Sequence, residues 1–164
     1  MVIELAGLDR PTNFDDLTYS SRLQRVLVPA LDAGLYLVDP HTGEATRFEG
    51  LGAVYSAAEG EGMVLVADRD KSTIALVDPA SGRLVASAAT AAPPDYVRYV
   101  PATGEVWVTE KGNQAGIEIF TIGTPDAPTL VSMAFIAIPG GPEGLVTSTP
   151  RRRGYTQTSD GASW

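Results

Sequence analysis

The chain has 164 residues, of which 12 are basic and 20 are acidic, so its formal net charge is −8. Apolar residues make up 44% of it, enough for a folded core, and the absence of cysteine excludes disulfides, thiolate catalysis and Cys-ligated zinc. The acidic balance argues against a nucleic-acid partner, and a single histidine argues against a multi-His metal site. No stretch approaches the roughly 20 apolar residues of a membrane span, and no signal peptide is visible.

Short, β-branched apolar runs bounded by Gly, Pro, Asp or Asn predict a chain that is nearly all β. These runs repeat along the chain. The corresponding core positions Leu27, Leu65, Trp107 and Tyr155 follow one another at steps of 38, 42 and 48 residues. A period near 40 residues with about four strands in each repeat is typical of β-propeller blades.

The sequence predicts one partial domain over residues 1–164, an incomplete ring of about three and a half four-stranded antiparallel blades. Blade one covers about 14–50, blade two about 53–90, blade three about 95–138 and partial blade four about 143–164. The predicted strands, from innermost to outermost, are 14–20, 25–30, 34–39 and 44–49; 53–58, 63–68, 73–78 and 83–88; 95–100, 105–110, 116–122 and 129–138; and 143–149 and 153–158. Residues 1–8 could supply an outer strand of a neighbouring blade.

The turn between the third and fourth strands is repeated as Asp-Pro-x-Thr/Ser-Gly, beginning at Asp39 and again at Asp78. Proline sets φ near −65° and the glycine adopts a positive φ, as in a type I turn closed by a glycine bulge. The aspartate carboxylate is expected to accept hydrogen bonds from backbone N–H groups two residues further on.

An incomplete ring leaves apolar blade faces and strand edges uncovered, which favours association. Two interpretations follow. The chain is either a fragment of a longer propeller or a half-ring that a second copy completes by self-association.

The repeats resemble the YVTN-type, or YncE-like, β-propeller proteins of bacteria. The stretches that carry the resemblance are Phe14–Leu17, Arg25–Pro29, the two Val-Asp-Pro turns, Ala67–Arg69, Pro94–Val100, Val106–Glu110 and Gly140–Glu143. The resemblance implies the N-terminal half of a seven-bladed ring, and members of this family are often exported. It implies no particular activity, because such propellers do many unrelated jobs.

Acidic residues stand at the starts of three predicted inner strands: Asp15 and Asp16, then Asp95, then Glu143. Inner strands converge at one mouth of a propeller channel, so these carboxylates are expected to face one funnel. They could bind a hard cation such as calcium, raise one another's pKa for acid–base work, or cap backbone N–H groups at the turns between blades.

Other polar residues have a simpler interpretation. Arg98, in an inner strand, could present a cation to the channel or pair with an acid, and we favour pairing. The charged stretches 68–71 and 110–111 follow the second strands of blades two and three; they could line a binding surface, but we interpret them as solvated turns, and His41 as a surface residue in a hairpin turn. Trp107 and Tyr155 are expected to pack between blades. The run Arg151–Arg153 is predicted to form an exposed hairpin tip.

These features favour a non-catalytic binding or scaffold module that presents a face or channel mouth to a small ligand or a protein. One alternative is a metal-assisted, lactonase-like hydrolase or lyase that uses Asp15, Asp16, Asp95 and Glu143 as ligands or base. Another is a truncated product without independent activity.

Overall fold

The computed structural model describes residues 2–8, 10–124 and 127–158. Every regular element in these ranges is a β-strand. The strands are β1 (Thr18–Ser20), β2 (Arg25–Pro29), β3 (Leu35–Val38), β4 (Ala45–Phe48), β5 (Val54–Gly60), β6 (Met63–Asp68), β7 (Thr73–Val77), β8 (Leu84–Ala89), β9 (Pro94–Val100), β10 (Glu105–Glu110), β11 (Gly116–Ile122), β12 (Leu130–Ala137), β13 (Pro142–Ser148) and β14 (Arg153–Thr158).

The strands form three four-stranded antiparallel sheets, each in simple chain order, and a final two-stranded sheet of β13 and β14. Each sheet is one blade. The inner strands β1, β5, β9 and β13 begin their blades, and neighbouring inner strands contact one another. The predicted fold is confirmed: the chain is all β, it is built of propeller blades, and the ring is not closed.

The Asp-Pro turns have the predicted hydrogen bonds. The backbone N–H groups of His41 and Thr42 donate to Asp39 Oδ1 at 2.8 and 3.1 Å, and they hold the pKa of this carboxyl below its usual value. At Asp78, the Ser81 hydroxyl donates to Oδ2 at 2.6 Å and the Ala80 N–H donates to Oδ1 at 3.0 Å. The same local device therefore closes the outer hairpin of blades one and two.

The apolar core lies between successive blades. Leu27 belongs to the cluster that joins blades one and two, and Leu65 belongs to the cluster that joins blades two and three. Trp107 packs with Ile117, Ile138 and Leu145 between blades three and four. Each second strand therefore directs its central apolar side chain toward the following blade, as the repeat predicts.

Tyr155 is the exception to this rule. It was expected to pack between blades, but it is 43% exposed. It occupies the position in β14 that corresponds to Trp107 in β10, and its side chain is bare because no later blade covers it within the described residues. The side of blade four that faces away from blade three is therefore open.

The prediction for the first eight residues differs from the structure. Residues 2–8 form no strand. Ile3, Leu5 and Leu8 pack instead against the apolar face of blade one, and the Tyr36 hydroxyl donates a hydrogen bond to the Ala6 carbonyl at 2.9 Å. Burying these side chains on blade one removes more apolar surface from water than an isolated edge strand would. The segment thus covers the face that blade one turns away from blade two.

Large apolar side chains are also exposed in the later blades. In β12, Val131, Met133, Phe135 and Ile136 are 41–63% exposed, and in β13 Val146 is 65% exposed. The described residues include no helix long and apolar enough to cross a membrane.

Candidate functional site

The predicted channel mouth lies where inner strands begin and second strands end. The first residue of β5, β9 and β13 pairs with the last residue of β6, β10 and β14, respectively. Tyr55, Asp95 and Glu143 therefore hold equivalent second positions in their inner strands. The Asp15 N–H donates to the Pro29 carbonyl at the end of β2, which places Asp15 at the same end of blade one.

A chain of alternating charges crosses blades two, three and four at this end. Arg69, just after β6, forms an ion pair with Asp95 at the start of β9. Lys111, just after β10, lies 2.9 Å from Asp95 Oδ2 and 2.8 Å from Glu143 Oε2. Burial alone would lower the pKa of Lys111, but its hydrogen bonds to Glu143 and Asp95 outweigh this effect and raise it. The two carboxylates thus join blades by ion pairing.

The loop cations are not the solvated turn residues that the sequence suggested. The Arg69 guanidinium lies 3.3 Å from the centre of the Tyr55 ring and donates to the Pro94 carbonyl at 3.1 Å. Asp68 and Glu110 are completely or almost completely buried. The interpretation is therefore wrong for these three residues: Arg69 lies over the next blade, and the two acids accept backbone N–H groups of the connection that precedes their own blade. Asp70 and Lys71 of the same stretch are exposed, as expected.

A second network connects the first three blades. Arg98 in β9 makes a bidentate contact with Asp16, with nitrogen–oxygen distances of 2.5 and 2.9 Å. Ser56 in β5 lies between them: its hydroxyl donates to Asp16, and it accepts the Val97 N–H at 3.0 Å. Arg98 therefore pairs with an acid, as favoured from the sequence, although the acid belongs to blade one, two blades away.

Asp15 is the carboxylate that these networks leave out. Among the described residues its side chain has no hydrogen-bond or ion-pair partner. Burial raises its pKa above the usual value, and the nearby carboxylates of Asp95 and Asp16 raise it further, against the opposing effect of the Arg69 and Lys111 charges. Burial raises the pKa of the Tyr96 hydroxyl, and the charges of Asp15 and Asp95 raise it further; the centre of the Tyr96 ring lies 5.6 Å from the Arg98 guanidinium carbon.

We define the mouth as Asp15, Asp16, Arg69, Asp95, Arg98, Lys111 and Glu143. Four carboxylates meet three cations here, so one negative charge is in excess. No group of three or more His, Asp or Glu side chains in the described ranges is arranged to hold a metal ion. The site residues predicted from sequence lie at one end of the blades, and the sequence analysis missed Ser56 and Tyr96 and assigned no site role to Arg69 or Lys111.

A buried pair of acids lies beside the mouth, on the face of blade three that packs against blade two. Glu110 Oε2 accepts the Ala92 N–H at 2.7 Å, and Glu118 Oε2 accepts the Ala91 N–H at 3.1 Å. Burial raises the pKa of Glu110 to about 8, and the hydrogen bond to Glu118 and its charge contribute to this shift. The connection from β8 to β9 is therefore held by hydrogen bonds from its backbone to two carboxyl groups of blade three.

Comparisons with known proteins support the fold. No family model and no curated protein matches this chain. A crystal structure of the mitotic checkpoint complex superposes with a TM-score of 0.79 at 15% identity over 93% of this chain and 50% of the other. The C-terminal WD40 domain of Sif2 gives a TM-score of 0.71 at 11% identity over 95% and 46%.

A third solved structure, from Bacteroides uniformis, is a protein provisionally assigned as a 6-phosphogluconolactonase. It gives a TM-score of 0.72 at 12% identity over 96% of this chain and 51% of the other. The chain thus spans about half the length of each of these three proteins. At this level of identity the likeness shows the fold alone: the chain has the architecture of part of a WD40-like β-propeller.

The Asp16–Arg98 pair should contribute measurably to stability, because the two side chains are only 11% and 21% exposed and their contact is bidentate. In a double-mutant cycle of Asp16→Asn and Arg98→Gln, we expect a coupling free energy of about 1–3 kcal/mol, measured by urea unfolding. The control cycle uses Arg10 and Asp32, whose side chains are 76% and 50% exposed, and should give less than about 1 kcal/mol. Equal coupling in the two cycles would contradict the role assigned to the buried pair.

Glu110 should make stability fall as the pH rises. Its folded-state pKa of about 8 lies above its ordinary value of 4.5, so between these values the folded chain retains a proton that the unfolded chain releases. This contribution is complete below about pH 4.5 and is lost as the pH approaches about 8. We expect Glu110→Gln to lose less stability than the parent across this window in urea unfolding. Exposed Glu49→Gln is the control, and parallel profiles for the parent and Glu110→Gln would refute the prediction.

Proposed function

We propose that this chain is a non-catalytic binding module of a YVTN-type propeller, and that its mouth receives a cationic group from a small ligand or a protein. The observation that carries this proposal is the pairing at the mouth. Asp16, Asp95 and Glu143 are neutralised by cations from other blades or loops, whereas Asp15 has no partner among the described residues.

The surroundings of Asp15 are suited to binding because they are already ordered. Asp95 and Arg69 are fixed by ion pairing across the junction of blades two and three, so a ligand need not immobilise them. A cation beside Asp15 would also relieve its repulsion with Asp95 and Asp16. Tyr96 adds an aromatic ring, which attracts cations through its π face.

The metal-assisted alternative places the same carboxylates around calcium. Asp95 and Glu143 lie within 3 Å of Lys111, so calcium would have to displace this lysine or share the carboxylates with it. The likeness to a lactonase-like propeller does not favour the alternative, because other propellers superpose equally well. The two functions therefore make different predictions for the same site.

The test is a titration with spermidine, followed by backbone amide chemical shifts. We expect saturable shifts at Asp15, Asp16 and Tyr96, and we expect Asp15→Asn to weaken binding by about fivefold or more. Glu44→Gln, which removes the same charge from an exposed hairpin turn, should leave binding unchanged. The proposal fails if spermidine produces no saturable shifts or if both variants weaken binding equally. Thermal stabilisation by calcium that is lost in Asp95→Asn/Glu143→Gln would favour the metal-assisted alternative.

We also propose that the chain self-associates through the open side of blade four. Val146 and Tyr155 are exposed there, although the equivalent face of each earlier blade is covered by the next blade. A second copy docked on this side would bury these side chains.

Light scattering after size-exclusion chromatography tests this association. We expect twice the monomer mass for the parent and the monomer mass for Val146→Asp/Tyr155→Asp, because a buried unpaired charge opposes association. Leu84→Asp, at an exposed apolar residue of blade two, is the control and should retain the dimer. A monomeric parent would contradict the proposal.

A further inference from the structure

A small cavity lies at the opposite end of the blades from the mouth, between the hairpin tips of blades three and four. Its volume is about 130 Å³, about four times the roughly 30 Å³ that one water molecule occupies in the liquid. The β9–β10 tip contributes Thr103 and β10 contributes Trp107, while the β13–β14 hairpin contributes Thr147, Arg152 and Arg153. The cavity thus combines hydroxyl groups, two guanidinium groups and an indole ring.

At the two earlier blade junctions, side chains pair across this end of the blades. Arg22 of blade one lies 3.8 Å from the Glu59 carboxylate of blade two and rests against Gly62. The Tyr99 hydroxyl of blade three donates to the Glu61 carboxylate of blade two. Among the described residues no such pair spans the junction of blades three and four, where the cavity of about 130 Å³ lies.

The arginines at this third junction are not neutralised. Neither Arg152 nor Arg153 has a carboxylate partner among the described residues, in a chain whose net charge is −8. The one acid that lines the cavity, Glu105, accepts hydrogen bonds from Thr103 Oγ1 at 2.8 Å and Trp107 Nε1 at 3.0 Å. Its nearest donors are therefore neutral groups, and the guanidinium groups remain available to another anion.

The backbone fixes this arrangement. Gly154 directly follows Arg153, and a Cβ at Gly154 would overlap the Trp107 ring. The absence of a side chain lets β14 lie close to the indole. Arg152 has a positive φ of 52°, so the hairpin turns sharply at the residue before the strand.

We propose that this cavity binds a tetrahedral oxyanion, phosphate or sulfate, either free or as the ester group of a small molecule. Arg152 and Arg153 supply the charge, and a guanidinium fork matches two oxygens of such an anion. The Thr103 and Thr147 hydroxyls line the same space, and the Trp107 ring offers an apolar surface to an attached organic group. This site is independent of the mouth: it lies at the other end of the strands and takes the opposite charge.

The experiment compares inorganic phosphate, phenyl phosphate and phenyl sulfate at constant ionic strength, with amide shifts and tryptophan fluorescence as readouts. We expect saturable binding with dissociation constants below about 10 mM and shifts at Thr147, Arg152 and Gly154. Tighter binding of phenyl phosphate than of inorganic phosphate would identify an ester as the ligand. Equal binding would identify the free anion, and a preference for phenyl sulfate would identify sulfate.

Matched single variants separate a built site from general charge effects. Arg152→Gln and Arg153→Gln should each weaken binding by about tenfold, since each removes a charged hydrogen-bond donor. Arg83→Gln removes the same charge from an exposed residue of blade two and should change binding by less than about twofold. The melting temperatures of all three variants should match that of the parent. Absence of saturable binding, or equal weakening by Arg83→Gln, would overturn the proposal.

Discussion

Each of the first three blades buries the central apolar side chain of its second strand against the next blade, and the rest of the structure depends on this constraint. Leu27, Leu65 and Trp107 hold the same place in successive second strands and are covered by blades two, three and four. Tyr155 holds that place in the last blade and remains 43% exposed. The stability of one blade is therefore a property of a pair of blades, as in other repeat proteins.

The ion pairs at the mouth, like the apolar contacts, join each blade to the blade that follows it in the chain. A cation after the second strand of one blade meets an acid in the first strand of the next, in Arg69–Asp95 and again in Lys111–Glu143. Partly buried pairs lose much of their attraction to desolvation, so the apolar contacts supply most of the blade-to-blade stability. The pairs instead fix the position of one blade on the next, because a shifted blade would leave a buried charge without its partner.

The sequence predicts the strands and the hairpin turns because both depend on neighbouring residues. The alternation of apolar and turn residues determined all fourteen strand positions to within a few residues, and the Asp-Pro motifs determined the hydrogen bonds of Asp39 and Asp78. The packing of the N-terminal segment, residues 2–8, could not be predicted in this way. Ile3 and Leu5 have the apolar alternation of a strand, but in the structure they pack against the face of blade one that is turned away from blade two.

Only some of the mouth residues could be predicted from the sequence. Asp15, Asp16, Asp95, Arg98 and Glu143 were found from their places in the inner strands. Arg69 and Lys111 also occupy equivalent repeat positions, 42 residues apart, and this periodicity was the signal that could have identified them. The partner of Arg98 had no such signal, because Asp16 lies 82 residues away and is reached only across an intervening blade.

The placement of charge gives the molecule an electrical polarity along its strands. An unpaired carboxylate stands at the mouth, and three consecutive arginines stand at the opposite hairpin tip. A seven-residue inner strand such as β13 separates the two ends by roughly 20 Å. An uneven charge distribution of this kind orients an approaching charged molecule before contact.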